Sequence, residues 1–342
     1  MKPVEPVLVT GALGFIGRRT VESLLDLGVR DVRAFDLPGL SMPAEWQGRV
    51  EYIPGDISYQ PDVDRAMGGV ATVIHLAAMV GDWIPLARHQ RVTLDGSRYL
   101  FDAALQQNAR VVLSSSIVVY GDRLAAGPCH EEVPWGQPLG PYSICKQAQE
   151  KMAWRYCNKH GMPLSVVRPA NVYGAGSRPW VHDVVDALRW GMPMLVSGGN
   201  FNGALVHVDN LAELLVLCAS HEKARGEAFN GADGNTVTWR QYFSDIAAAL
   251  DLPPPRSVPR ALITPAAGVV ERAWSLLGVT RRPPVTREAL NLVSAKTLIP
   301  IDKARSVLGY TPRVSYETGI REVRQYVKAL ATGGNLRETI HS

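Results

Sequence analysis

Through its first half the chain alternates short β-branched runs with longer helix-like segments, and no other feature limits its folding so tightly. The runs are Val7 to Thr10, Val32 to Phe35, Val73 to Ala77, Val111 to Ser115 and Leu164 to Val167. Helical segments fit between them at Gly17 to Leu27, Gln60 to Met67, Thr93 to Asn108 and Tyr142 to His160, the last stopped by Gly161 and Pro163. Strands covered on both faces read as continuous apolar runs, and parallel neighbours need a crossover long enough to hold a helix. Right-handed crossovers among five such strands make an α/β fold with a doubly wound parallel sheet.

After Arg168 the alternation weakens, and glycine and proline become frequent between Gly174 and Gly203. A further strand-helix step, Ala204 to Val208 and then Asn210 to Ala219, is expected to return to the sheet. Asp251 to Pro300 is proline-rich and irregularly apolar, as suits a lobe covering a pocket. The expected division is a cofactor domain over 1–170 with a returning segment at 204–220, and a smaller substrate-binding cap from 171–203 and 221–330.

Composition excludes several classes of function. The chain has 342 residues, 46% hydrophobic and 20% charged, so it can bury a sizeable core. Its 36 basic and 32 acidic residues are intermixed, without the cluster that a nucleic-acid footprint needs. Cys129, Cys145, Cys157 and Cys218 lack metal-ligand spacing and no leader precedes Val7, so reduced thiols, no metal and a cytoplasmic location are expected. The most apolar stretch, Ala261 to Val279, contains Pro265, Glu271 and Arg272, and reads as an amphipathic cap helix instead of a membrane span.

The first run leads directly into T-G-A-L-G-F-I-G, which places Gly11, Gly14, Phe15, Ile16 and Gly17 in a strand-to-helix turn. Glycines there allow positive φ and close backbone approach, and the helix N-terminus offers amide donors to a pyrophosphate. Asp36 ends the second run, where a carboxylate accepts from an adenosine ribose and repels a 2′-phosphate; with no arginine behind it, NAD is favoured over NADP. Asp56 and Ile57 in P-G-D-I would meet the adenine, and Leu76, Ala77 and Ala78 would leave room beside the cofactor. His75, ending a buried run, is expected to be a satisfied structural histidine.

Tyr142 and Lys146 stand four apart in P-Y-S-I-C-K, so a helix places them on one face about 6 Å apart along its axis. A tyrosine of reference pKa about 10 needs about 4 kcal/mol of phenolate stabilisation to act as a base near pH 7, which a neighbouring ammonium and an oxidised nicotinamide can supply. The pair alone is a common chance spacing. Ser114, Ser115 and Ser116 close the preceding strand, and a hydroxyl at a parallel strand's C-terminal end could hold a substrate oxygen.

With T-G-A-L-G-F-I-G, H-L-A-A, S-S-S-I-V-V-Y-G, Y-S-I-C-K, R-P-A-N-V-Y-G and V-H-V-D-N in this order, the chain resembles the extended short-chain dehydrogenase/reductase family from Val7 to about Tyr326. The resemblance implies a Rossmann-type cofactor domain, with Ser116 as donor to the substrate oxygen and Tyr142 as general acid/base. It implies that Lys146 binds the nicotinamide ribose, that Ser114 and Pro169 to Val172 line the cofactor, and that Asn171 lies near substrate. It also implies a homodimer formed through the helices at Thr93 to Asn108 and Tyr142 to His160. One departure is Thr93, in T-L-D-G-S, where the family usually has an asparagine that supports the lysine.

Family members acting on nucleotide sugars carry an arginine shortly before the V-H-V-D-N segment, where this chain has Gly203 and no basic neighbour. Arg178 or Arg189 could substitute. The apolar cap looks like the 3β-hydroxysteroid dehydrogenase-like branch, which implies an apolar alcohol or ketone, with Trp83, Trp180 or Trp274 as candidate pocket aromatics. Two other readings remain: a nucleotide-sugar epimerase or dehydratase retaining NAD, and a non-catalytic NAD-sensing protein.

Overall fold

A computed structural model describes residues 1–331 apart from residue 295. Its first half contains β1 (Val7–Thr10), β2 (Val32–Asp36), β3 (Val50–Pro54), β4 (Thr72–His75), β5 (Arg110–Ser114) and β6 (Leu164–Pro169). These are joined through α1 (Phe15–Asp26), α2 (Gln60–Met67), α3 (Leu86–His89), α4 (Gly96–Gln107) and α5 (Pro141–His160). Further on come β7 (Asn171–Tyr173), α6 (Asp183–Arg189), β8 (Leu195–Val196), β9 (Leu205–His207), α7 (Val208–Ser220), β10 (Glu227–Gly231), α8 (Trp239–Ala249) and β11 (Ser257–Val258). Four helices close the described chain: α9 (Arg260–Leu276), α10 (Arg287–Ser294), α11 (Asp302–Leu308) and α12 (Tyr316–Ala331).

Seven strands form one parallel sheet in the order β10-β6-β5-β4-β1-β2-β3. The five expected strands occupy its middle. The two that the apolar pattern does not announce, β3 and β10, are its edges, where V-E-Y-I-P and E-A-F-N-G lack a continuous β-branched run. Glu227–Gly231 also corrects the expectation for Ala204 to Val208. That segment does not rejoin the main sheet: β9 pairs with β7 in a separate two-stranded sheet, and only α7 packs back, against α1.

Alternate residues of each central strand enter opposite cores. Val7, Val9, Ile74, Val112 and Val167 join Leu24 of α1 and Leu211 and Leu215 of α7. Leu8, Val73, Val111, Leu113 and Val166 join Val63 of α2, Leu100 of α4 and Ala153 of α5. Every buried CH₂ contributes about 0.8 kcal/mol, so a one-residue slip of any central strand would be opposed from both sides. The cap has its own core, in which Tyr173, Val184, Leu188, Trp239, Tyr242, Phe243, Ile320 and Val323 meet.

The strand order reverses between β1 and β4, and an open α/β sheet binds ligands at the carboxyl ends beside such a switch. Both expected runs that reached this edge are shorter there than expected. β4 ends at His75, because the Leu76 and Ala77 N–H groups turn away to the Thr10 hydroxyl at 3.2 and 3.1 Å. α4 begins at Gly96, later than expected, because one π-helical turn spans Gln90–Asp95.

Candidate active site

At the switch, Gly11 adopts φ +68°, and a Cβ there would stand 3.1 Å from the Ala77 nitrogen. Gly17 is required more strictly, since its Cβ would lie 2.0 Å from the Gly11 carbonyl oxygen. Only glycine lets α1 start this close to β1. Gly14 caps α1 with no side-chain hydrogen bond and no acidic residue in the first turn, so the open amides there keep their positive end for an anion. The Asp36 carboxylate accepts from the Leu13 and Leu37 N–H groups, each at 2.8 Å, which ties the end of β2 to the glycine turn. Ala77 and Ala78 are half-exposed facing this edge. The donors, the carboxylate and the lack of side chains fit a dinucleotide with an unphosphorylated ribose.

Asp56 is more engaged than expected. Its Oδ1 accepts from the Ser58 N–H and hydroxyl, each at 2.8 Å, and its Oδ2 lies 3.8 Å from the Arg91 guanidinium. Ile57 beside it is buried, and a Cβ at Gly96 would come within 2.9 Å of it.

Ser116 and Tyr142 meet at the carboxyl end of β5. Burial pushes the Tyr142 phenol up to about 12, opposed by its hydrogen bond with Ser116 and reinforced by the negative charge of Glu288. Lys146, one turn along α5, is 3% exposed and donates to the Ser114 carbonyl and to Gln149 Oε1, each at 2.9 Å. Burial lowers its ammonium to about 8, although Glu150 and Cys145 act in the opposite direction.

A buried chain of hydrogen bonds continues from Lys146. Gln149 Nε2 donates to the Ser97 hydroxyl at 2.7 Å, and that hydroxyl donates to the Thr93 carbonyl at 2.5 Å. Ser97 Oγ must therefore also accept from His75 Nε2, 2.9 Å away, and His75 Nδ1 must accept from the Thr10 hydroxyl at 2.8 Å. The network fixes one neutral tautomer, and burial with the Lys146 charge lowers His75 to about 3. His75 is thus the satisfied structural histidine that its position suggests. Thr93 contributes its backbone carbonyl here, while its hydroxyl accepts from the Met79 N–H at 3.1 Å.

A model of the family described as NAD dependent epimerase/dehydratase matches residues 7–232. The chain belongs to that family, and NAD is its cofactor. A 2-alkyl-3-oxoalkanoate reductase from Stenotrophomonas maltophilia is 26% identical over 333 residues, covering 93% of this chain and 98% of that protein. The 3beta-hydroxysteroid-dehydrogenase/decarboxylase isoform 1 of Arabidopsis thaliana is 26% identical over 92% of this chain and 77% of its own length. The structure of MoeE5 in complex with UDP-glucose and NAD is similar with a TM-score of 0.73 and 27% identity, covering 96% of this chain and all of that one, 100%.

Within this family member, several side chains take places that sequence spacing did not indicate. Glu288, from cap helix α10, is 5% exposed and accepts the Ser143 N–H at 2.7 Å, one residue beyond Tyr142. Its second oxygen has no hydrogen-bond partner among the described residues, and burial raises its carboxyl to about 7. The His89 ring stands 6.0 Å from the Tyr142 ring and bonds the Gly81 carbonyl. No spacing signal links residues so distant in sequence. Behind β5, Glu150 takes the Ser115 hydroxyl at 2.5 Å and pairs with Arg168 at 2.7 Å, both carboxylate and guanidinium being buried.

Two expected substrate contacts are largely occupied elsewhere. The Asn171 amide donates to the Gly203 carbonyl at 2.7 Å and the residue is 4% exposed, so it ties β7 to the segment before β9. Trp180 stacks on Trp239 at 4.8 Å within the cap core, and its carbonyl accepts from the Tyr242 hydroxyl. Pro169 and Val172 lie on β6 and β7 at either side of this crossing. Arg178 and Arg189 are both exposed, with Arg178 4.0 Å from Asp183, and a side chain at Gly203 would abut Leu205 and the Val237 carbonyl. Among the described residues no helix is long and apolar enough to cross a membrane, and no His, Cys, Asp or Glu group could hold a metal.

Proposed function

We propose that this protein is an NAD-dependent oxidoreductase acting on a secondary alcohol or ketone of an apolar, steroid-like or alkyl-keto, substrate. The observation that carries the reading is the Ser116 hydroxyl set against the Tyr142 phenol, with Lys146 buried one helical turn away. NAD, when bound in the glycine turn, supplies acceptance or donation of hydride at its nicotinamide. Ser116 and Tyr142 both address the substrate oxygen, Ser116 orienting it and Tyr142 moving the proton at its Oη. With its phenol held up to about 12, Tyr142 is protonated at neutral pH and suited to giving a proton to a ketone oxygen. Lys146 keeps a positive charge below about pH 8 and opposes loss of the phenolate's stability when the proton leaves.

The apolar class is supported by the names of the oxoalkanoate reductase and hydroxysteroid dehydrogenase relatives and by the lack of a basic residue at Gly203. The MoeE5 complex favours a second reading, chemistry on a nucleotide sugar with retained NAD. The proposal includes a cofactor domain over 1–170 with 204–220, a cap over the rest, a homodimer through α4 and α5, and a cytoplasmic location. A screen of sterols, alkyl-keto acids and UDP- or dTDP-sugars, followed by NADH absorbance, separates the two readings. Turnover of an apolar ketone that falls at least about a thousandfold in Tyr142→Phe, with NAD binding intact, is expected. Saturable binding of a sugar nucleotide with no turnover of any apolar alcohol or ketone would overturn it.

A further inference from the structure

Helix α9 presents an apolar face to solvent. Leu262, Val269 and Leu276 recur every seven residues and are 65%, 67% and 87% exposed, and Leu277 after them is 75% exposed. Residues seven apart on a helix share one side, so these make a stripe along its length, with Pro265 between the first two. The opposite side is apolar as well: Ala267 is fully buried and packs with Val196 and Leu290. An ordinary surface helix turns only polar and charged residues outward, and this one also turns out a stripe of leucine and valine.

The charge around the stripe is one-sided. From Arg256 to Arg287 there are six arginines and one glutamate, net +5 against +4 for the entire chain. Glu271 is taken by Arg287 at 2.6 Å, and Arg282 is taken by Asp82 at 2.6 Å. Arg256, Arg260, Arg272 and Arg281 are exposed and have no carboxylate within 4.0 Å among the described residues. The Arg281 guanidinium stands 5.8 Å over the ring of Trp190, itself 64% exposed. Leucine and valine flanked by arginine and tryptophan are the side chains that settle at a bilayer's headgroup boundary.

We propose that α9 docks on an anionic lipid surface, with its apolar stripe in the headgroup region and its arginines against lipid phosphates. A second copy of the chain is a poorer occupant, because an isologous contact would bring two +5 stretches together. The docked helix would lie one loop from Tyr142. The Val279 carbonyl accepts from Trp83 at 3.2 Å, the same loop's Gly81 carbonyl holds His89, and His89 adjoins Tyr142. On the proposed apolar substrate this is a route out of the bilayer; the docking itself stands without that reading.

The test sediments the full chain with phosphatidylcholine vesicles, with and without phosphatidylglycerol, at low and high salt. Binding that requires phosphatidylglycerol and weakens with salt is expected. The triple variant Leu262→Ser, Val269→Ser, Leu276→Ser should lose binding by about tenfold or more. Arg256→Gln with Arg272→Gln, which leaves the stripe intact, should lose about tenfold on anionic vesicles alone. NAD binding and the thermal melt verify that each variant is folded. Equal sedimentation with and without phosphatidylglycerol, or a folded triple variant binding like the parent, would sink the proposal. So would a dimer, lost in the triple variant, that forms without any vesicle binding.

Discussion

The polar groups behind the sheet and those of the cap are handled in opposite ways. Under β5 and β6, Glu150, Arg168, Ser115, Tyr120 and Asn230 form one continuous buried array: Arg168 also donates to the Tyr120 hydroxyl at 3.0 Å and the Glu131 carbonyl at 2.8 Å, and Tyr120 donates to Asn230 at 2.7 Å. The cap core is built from packed aromatics whose hydroxyls make at most isolated bonds: Tyr316 bonds Asp245 and Tyr326 bonds His182, while the buried Tyr173 hydroxyl has no hydrogen-bond partner among the described residues. A charged array satisfies itself in only one arrangement, whereas stacked rings tolerate small slides. The difference suits a half that must hold Ser116 and Lys146 in register and a half that only has to cover them.

The comparison breaks most sharply at Glu150. Removing one partner of a buried pair leaves the other charge uncompensated, so Glu150→Ala is expected to cost about 3–5 kcal/mol in urea unfolding. Ile246→Ala in α8, fully buried in the cap, should cost about 2–4 kcal/mol by creating a cavity, with NAD affinity unchanged. If Glu150→Ala cost no more than a surface change, the array would not be the sheet's specifying element.

How legible each half was follows from the same physics. Val7 to Thr10, Val73 to His75 and Val111 to Ser114 announce themselves because two-sided burial demands unbroken apolar runs. Edge strands β3 and β10 face solvent on one margin and carry Glu51 and Glu227, so neither shows an unbroken apolar run. Gly11, Gly17, Tyr142 and Lys146 are short-range motifs, fixed by spacing. Glu288 reaches Ser143 across 145 residues and Gln149 reaches Ser97 across 52, and such meetings are set by packing that no local pattern encodes. The Thr93 departure is readable as a substitution, but its replacement by a Ser97-Gln149 link is not.

Glu288 is where the two halves touch at the site, and its titration sharpens the comparison. Its carboxyl is raised by burial from an ordinary 4.5 to about 7, so the folded protein binds this proton more tightly than the unfolded chain does. Stability from this group is complete below about pH 4.5 and is lost as pH rises through about 7. Glu288→Gln keeps an acceptor for the Ser143 N–H without the charge. It should melt like the parent at pH 5 and be the more stable by about 1–3 kcal/mol at pH 8.5. Parallel melting curves for the two proteins at both pH values would show that the cap does not bury a carboxyl against α5.

The smallest effect concerns the chain running from Lys146 into the sheet. Gln149→Leu removes one acceptor of the Lys146 ammonium while keeping the volume, and leaves Ser97 with His75 as its donor. Charge-assisted hydrogen bonds favour the charged form, so the lysine, already near 8, should titrate lower by up to about one unit. If Lys146 must be charged for the proposed proton transfer at Tyr142, the alkaline limb of kcat/KM moves acidward by the same amount. Turnover at pH 6 should then change less than about threefold, since most of the lysine still carries its proton. An unmoved limb, with the variant folded, would mean that Gln149 does not set the lysine's charge and that the Gln149-Ser97-His75 chain serves the sheet instead of the site.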